Sequence, residues 1–304
     1  MKKVVLKTYN ITKKYGEQLA VDNVNMTIKK GDIYGFIGQN GAGKTTLIRL
    51  ITGLIHKSSG EIELLGVNEE NELNKARTMV GSLIESPSLY TNMTARENLE
   101  VSRLVRNIPG KKCIDEVLEL VGLKDVEKKK VKNFSLGMRQ RLGIANALMG
   151  NPKLLILDEP IDGLDPVARK LVWKYIIDDV AQRNLTVLIS SHNLKELEGI
   201  VDHVGILYKG KIMKEFDLEY IQTHIHKIQV SFGDEEVNLD ALNIAYQEER
   251  GSVKILIIED SLSHIRKVIG EKAPLIFDIL PLSLEELFMY EVGGEDDDIQ
   301  KLIF

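Results

Sequence analysis

Apolar and polar residues alternate along this chain in two rhythms, and each rhythm predicts an element. Steps of two over Val4–Tyr9 and Ala20–Ile28 predict half-buried strands, with Tyr15-Gly16 turning between them. The apolar run Ile33–Ile37 predicts a buried strand, and Leu47–Ile51 the helix after it, stopped by Gly53. Residues 61–65 and Val80–Ile84 read as strands on either side of a helix over 71–79. From Thr94 to Gly150 the spacing is helical. Thr94-Ala95-Arg96-Glu97 is a capping box, Lys111–Val121 a second helix, and the charge run Lys124–Lys132 a solvated helix end. Ser135 stands where it caps an apolar helix running to Met149. Leu154–Leu157 and Leu185–Ile189 are continuous apolar runs, the pattern of strands buried on both faces. Pro166 begins a long helix to about Gln182, and Val204–Tyr208 with Lys211–Phe216 predicts a hairpin turning on Gly210.

Near residue 217 the pattern changes. Ile225–Phe232, Val253–Ile258 and Leu275–Ile279 predict strands and Ser261–Gly270 a helix, while Ser283 caps a last helix from Leu284 to Tyr290. Two domains are expected: 1–217, with a helical subdomain at about 86–150, and a small α+β domain over 218–304. Glu295–Asp298 reads as a solvated tail, with Leu302–Phe304 able to dock.

The chemistry gathers where predicted strands end. Gly38–Thr46 fits the phosphate-loop pattern G-x-x-x-x-G-K-[ST], with Gly38, Gly43, Lys44 and Thr45 in its fixed places. Glycine permits positive φ, so successive N–H groups converge on an anion, and the helix that follows adds its positive end. Lys44 brings a full charge to the terminal phosphates, and the Thr45 hydroxyl can ligate Mg²⁺. Asp158-Glu159 closes a buried strand, where carboxylates are costly unless a cation or donors meet them. A nucleotide's Mg²⁺ suits Asp158, and Glu159 can then orient or deprotonate a water. His192 closes another buried strand and is open to two readings, a structural histidine or, where the strand ends converge, a contact to a γ-phosphate. Tyr15 is open to two readings, a packing residue or a ring that stacks on a nucleobase.

Bulk properties narrow the classes. Of 304 residues, 43% are hydrophobic and 28% charged, the composition of a soluble globular protein. The net charge of −5 argues against nucleic-acid binding, which needs a basic surface. One cysteine, Cys113, excludes an internal disulfide; its spacing with Val117, Leu120 and Val121 predicts a core thiol. No Cys/His cluster suggests zinc. The N-terminal apolar run is too short for a signal peptide, and no stretch approaches the about 18 apolar residues of a spanning helix. A cytoplasmic chain, held to a membrane only by a partner, is expected.

In order and spacing, the phosphate loop, Phe134-Ser-Leu-Gly-Met138, Leu154-Leu-Ile-Leu-Asp-Glu-Pro160, Gly163-Leu-Asp165 and Ser190-Ser-His192 resemble the ATPase subunits of ATP-binding-cassette (ABC) transporters over residues 1 to about 217. The resemblance implies an α/β phosphate-loop NTPase core with an antiparallel β subdomain and a helical subdomain. Pro281–Phe288 is similar to the C-terminal extension of many drug- and peptide-export cassettes. By the same resemblance Tyr15 stacks on adenine, and Lys44, Thr45 and the loop around Gly38, Asn40, Gly41, Gly43 and Thr46 hold the phosphates. Asp158 holds Mg²⁺ through water, Glu159 is the general base and His192 senses the γ-phosphate. Ser135 and Gly137 contact the ATP of a second subunit, so the active unit is a head-to-tail homodimer. The implied partner is an integral membrane permease, met by the region from Ser86 to about Asn107, which places the chain at the inner face of the membrane.

Three positions depart from the family pattern. Glu85 stands where Gln is usual; it still reaches Mg²⁺ or water but adds negative charge beside Glu159, and resembles the bacitracin and lantibiotic self-protection exporters. Leu136 and Met138 replace the common Gly and Gln of the signature. Asp162 replaces Asn or Ala in its turn. The other class to weigh is a soluble cassette ATPase acting on nucleic acid or ribosomes; one cassette, no sustained heptads and net acidity weigh against it. No Asn-Lys-x-Asp run selects guanine, as a GTPase requires, and neither a GTPase nor a kinase explains the signature.

Overall fold

A computed structural model of the chain describes residues 2–233 and 237–287. It divides into two units: residues up to His192 with Gly199–Glu215, and Asn193–Glu198 with the chain from Phe216 onward.

In the first unit, β1 (Val4–Tyr15) and β2 (Gln18–Lys29) pair antiparallel and turn at Gly16, φ 57°. Both outrun the apolar alternation because the ladder continues through polar pairs such as Tyr15↔Gln18. β3 (Ile33–Ile37) leads through the phosphate loop into α1 (Lys44–Thr52), which Gly53 ends in the left-handed conformation. β4 (Ser59–Leu64) returns to β1, giving a three-stranded sheet of order β2-β1-β4. α2 (Glu70–Arg77) and β5 (Val80–Leu83) follow, then α3 (Ala95–Val105), α4 (Lys112–Leu120) and α5 (Leu136–Leu148). β6 (Leu154–Asp158), α6 (Pro166–Arg183), β7 (Thr186–Ser191), β8 (His203–Tyr208) and β9 (Lys211–Asp217) complete it.

Six strands form the central sheet in the order β5-β6-β7-β3-β8-β9. The pairings of β5 with β6, β6 with β7, and β3 with both β7 and β8 are parallel, so their carboxyl ends share one edge. Register aligns those ends: Ile37 pairs with Ser191, and Asp158 with Ser190. Ligands of open parallel sheets bind at this edge. Every residue of β6 and β7 is buried, as their unbroken apolar runs require. α1 buries Leu47, Ile48, Leu50 and Ile51 against Leu154, Ile156, Leu188 and the inner faces of β1 and β2. At roughly 1.5–3 kcal/mol for each large apolar side chain, that packing fixes the helix behind the phosphate loop.

Two expectations are corrected. Cys113 is half-buried, not a core thiol; Ile114, Val117 and Leu118 take the inner face of α4. Lys124–Lys132 forms no helix end. It contains single 3-10 turns at Lys124–Val126 and Val131–Asn133, because Val131 and Lys132 donate their N–H groups to the carbonyls of Met93 and Thr91.

The second unit holds α7 (Leu194–Leu197), α8 (Leu218–His224), β10 (Ile225–Ser231), β11 (Ile244–Arg250), β12 (Val253–Glu259), α9 (Leu262–Gly270) and β13 (Ile276–Leu280). Its sheet is antiparallel, order β11-β12-β10-β13, and Ile265 and Ile269 of α9 pack on Ile228, Val230, Leu256 and Ile258. Residues 284–287 are helical, opened by Ser283, whose Oγ accepts the Glu286 N–H while the Glu286 carboxylate accepts the Ser283 N–H. Glu198 accepts the Leu284 N–H at 3.0 Å, and Lys195 pairs with Glu285 at 3.0 Å, joining residues 194–198 to this unit. Residues 288–290 of the expected last helix, and the tail beyond, lie outside the described residues.

Candidate active site

Backbone sterics build the phosphate loop. Gly41 and Gly43 sit at φ 86° and 108°, a region closed to most side chains. A Cβ on Gly43 would lie 2.4 Å from the Ala20 carbonyl oxygen, and one on Gly38 2.4 Å from that of Leu207. Gly43 is the N-cap of α1 and supplies no side-chain acceptor, so the first-turn N–H groups are left for an anion.

The loop opens on a cavity of about 530 Å³ lined by Tyr15, Asn40, Gly41, Gly43, Lys44, Thr45, Thr46 and Glu159. The Lys44 side chain is only 5% exposed. Its Nζ donates to the carbonyls of Gly38, at 2.5 Å, and Gln39, at 3.3 Å, and stands 3.2 Å from Glu159 Oε1. That oxygen accepts no hydrogen bond, so the contact is a charge attraction without directed geometry.

The acidic pair ends β6, and β7 supplies its hydrogen-bond partners. Asp158 is buried and accepts the hydroxyls of Thr45, at 2.8 Å, and Ser190, at 2.5 Å. Glu159 adopts φ 48°, a left-handed conformation costing on the order of 1 kcal/mol for a residue with a side chain. Hydrogen bonds hold it there. Its N–H donates to the Oγ and carbonyl of Ser190, and its Oε2 lies 2.8 Å from His192 Nδ1 and accepts the His192 N–H at 3.3 Å. Glu159 therefore has one oxygen toward Lys44 and one toward His192.

Tyr15 is half exposed at the cavity mouth, with Lys13 Nζ 4.8 Å from its ring centroid. Gln39 of the loop also lines the cavity, as do Gln18, Leu19, Ala20, Lys209 and Gly210, positions that no local pattern in the sequence marks for a ligand. The β8–β9 turn reaches the loop through Gly210, whose N–H donates to the Ala42 carbonyl at 2.9 Å. Only the pairing of β8 with β3 reveals that proximity.

Three expected positions lie elsewhere. Glu85, at φ 57°, directs its carboxylate to Arg49 Nη2, 2.6 Å away. Ser135 caps α5, its Oγ accepting the Met138 N–H at 3.2 Å, and Gly137 follows in the first turn; neither lines the cavity. Asp162 is exposed, and nothing in the structure explains its choice over Asn or Ala.

Hard oxygen donors, the Thr45 hydroxyl that lines the cavity and the buried Asp158 carboxylate behind it, meet 2.8 Å apart, a donor set that suits Mg²⁺. No group of three or more His, Cys, Asp or Glu among the described residues could hold a metal, so phosphate and water oxygens must complete such a shell.

A nest of N–H groups, a buried lysine and two strand-end carboxylates suit a nucleoside triphosphatase site. A family model described as ABC transporter matches residues 21–162. The chain is 41% identical to the bacitracin transport ATP-binding protein BcrA of Bacillus licheniformis, over 95% of this chain and 98% of that protein. It therefore belongs to the ATP-binding subunits of ABC transporters, and is an ATPase whose hydrolysis serves transport rather than a nucleic-acid or ribosome cycle. Further similarity is to the lantibiotic transport ATP-binding protein SrtF of Streptococcus pyogenes, 44% identical over 70% of this chain and 92% of that protein. Among solved structures, the dimeric post-hydrolysis state of the ATP-binding cassette MJ0796 bound to ADP and Pi matches 70% of this chain and 99% of its own, with TM-score 0.65 and 26% identity.

Proposed function

We propose that this chain is the ATP-hydrolysing subunit of an exporter of peptide antibiotics or related drugs. It works as a head-to-tail pair beneath an integral membrane permease, at the inner face of the membrane. The observation that carries this reading is similarity along nearly the whole length of a bacitracin transport subunit, second unit included. No helix among the described residues is long and apolar enough to cross a membrane, so the reading requires a separate spanning partner.

In this reading the site residues divide the work. The loop N–H groups around Asn40, Gly41, Gly43 and Thr46 hold the phosphates, and Tyr15 stacks on adenine. Thr45 and Asp158, joined by Glu85, would hold Mg²⁺, which when bound neutralises charge on the transferred phosphoryl group. Bound phosphate competes with Glu159 for the Lys44 ammonium, which leaves Glu159 oriented by His192 alone and able to take a proton from water. The water oxygen then bonds to the γ-phosphorus as the bond to the β–γ bridging oxygen breaks, giving ADP and phosphate. Ser135 and Gly137 lie outside their own chain's cavity, in keeping with service to the ATP of the second subunit.

Glu159→Gln tests the core of this. It keeps the shape and the His192 contact but removes the base, so ATP binding stays at the parent level while hydrolysis falls about 100-fold or more, the usual worth of a general base. Hydrolysis at the parent rate sinks the assignment. Cells carrying the chain and its permease should resist bacitracin or a lantibiotic, and lose that resistance with Glu159→Gln; equal sensitivity removes the cargo.

A further inference from the structure

Arg49 has one ion-pair partner among the described residues, and it is Glu85. The helix α1 that begins at Lys44 carries Thr45 and Arg49 four residues apart, hence on one face. Its opposite side is anchored by Leu47, Ile48 and Ile51 in the core. One rigid element thus presents both the hydroxyl that contacts Asp158 and the guanidinium that contacts Glu85. Glu85 follows β5 by two residues and turns the chain with φ 57°, so its side-chain direction depends on what grips it. An amide here could accept a hydrogen bond from Arg49 but could not form the ion pair. The pair is short but half exposed, the side chains being 38% and 61% accessible, and ion pairs so placed are weakly held. A stronger cation can displace Arg49.

We propose that Arg49 is a positioning residue for Glu85: it holds the carboxylate on α1 and competes for it with the divalent cation of the bound nucleotide. Entry of Glu85 into the cation shell then requires release of Arg49. This rests on the reading of Glu85 as a cation ligand.

The test uses Mn²⁺ as probe, with full-length Glu159→Gln protein at saturating ATP, free Mn²⁺ being read by electron paramagnetic resonance. Removing the competitor with Arg49→Ala should tighten Mn²⁺ binding by about fivefold, the equilibrium factor of a weak surface ion pair. Arg49→Lys should restore the parent affinity. In a Glu85→Gln background the Arg49→Ala effect should vanish. An Arg49→Ala effect that is absent, or equal in both backgrounds, overturns the proposal while leaving the ligand reading intact if Glu85→Gln alone weakens Mn²⁺. Glu85→Gln without effect on Mn²⁺ overturns both. Unchanged melting temperature and unchanged binding of metal-free fluorescent ATP separate these results from misfolding.

Discussion

Ser190 shows how one hydroxyl can hold two acidic residues, one by its carboxylate and one by its backbone. It donates to Asp158 and accepts the Glu159 N–H, and it is fully buried. Ser190→Ala takes from Asp158 Oδ1, a buried carboxylate oxygen, the hydroxyl that donates to it, while the Glu159 N–H keeps only the Ser190 carbonyl, at a cost of about 1–3 kcal/mol. Denaturant unfolding should show that loss, and hydrolysis should fall with it; unchanged stability would mean the two bonds are replaced. Tyr34 makes a different prediction. Burial, then the nearby Glu215 carboxylate, push its phenol well above the ordinary value of 10.0. The folded state therefore keeps a proton that the unfolded chain releases, so this contribution is intact below about pH 10 and is lost as pH rises beyond it. Tyr34→Phe should flatten the loss of melting temperature above pH 10; an equally steep loss would assign it to other groups. Lys44, Thr45, Asp158, Glu159 and His192 were legible because each sits in a local pattern at a strand end. Ser190's double role, Lys209 and the Arg49–Glu85 pair were not, since strand register and tertiary placement, not neighbours in sequence, create them.

At the scale of elements, periodicity located most helices and strands, with ends that moved by a few residues where ladders or caps extended them. β11 escaped because its sequence, Ile-Ala-Tyr-Gln-Glu-Glu-Arg, is polar, as an edge strand permits. α8 spans seven residues, too few to show a period. The capping box of α3 was legible and is present in full: Thr94 Oγ1 accepts the Glu97 N–H, and Glu97 accepts the Thr94 N–H. Thr94→Ala should cost about 1 kcal/mol by denaturant unfolding, and Thr94→Ser almost nothing. The same helix carries an acid-sensitive pair. Arg103, aided by Lys111, lowers the Glu100 carboxyl from 4.5 to about 2. A depressed carboxyl stabilises above its unfolded value and loses that contribution as pH falls from about 4.5 through about 2. The melting difference between parent and Glu100→Gln should therefore narrow across that window, and should shrink with salt because the pair is only part-buried and solvent reaches it. A difference that stays constant with pH would place its origin in helix propensity instead.

For the whole molecule, the question is whether one chain contains a complete site. Within the chain, the cavity gathers the phosphate loop and Glu159 but not Ser135 or Gly137. Two chains joined head to tail would bring the signature of each to the cavity of the other. Ser135→Asp probes this cleanly, because aspartate caps a helix as well as serine does and so spares α5, yet places a negative charge against phosphate. Lys44→Ala disables the cavity in its own chain. Either variant alone should be inactive. In a mixed dimer one site has both defects and the other has neither, since the intact Lys44 belongs to one chain and the intact Ser135 to the other. Equal mixing makes about half the dimers mixed, each with one working site, so about a quarter of the parent activity should return. A chain that completed its own site would give no recovery at any ratio, and the head-to-tail assembly would then have to be abandoned.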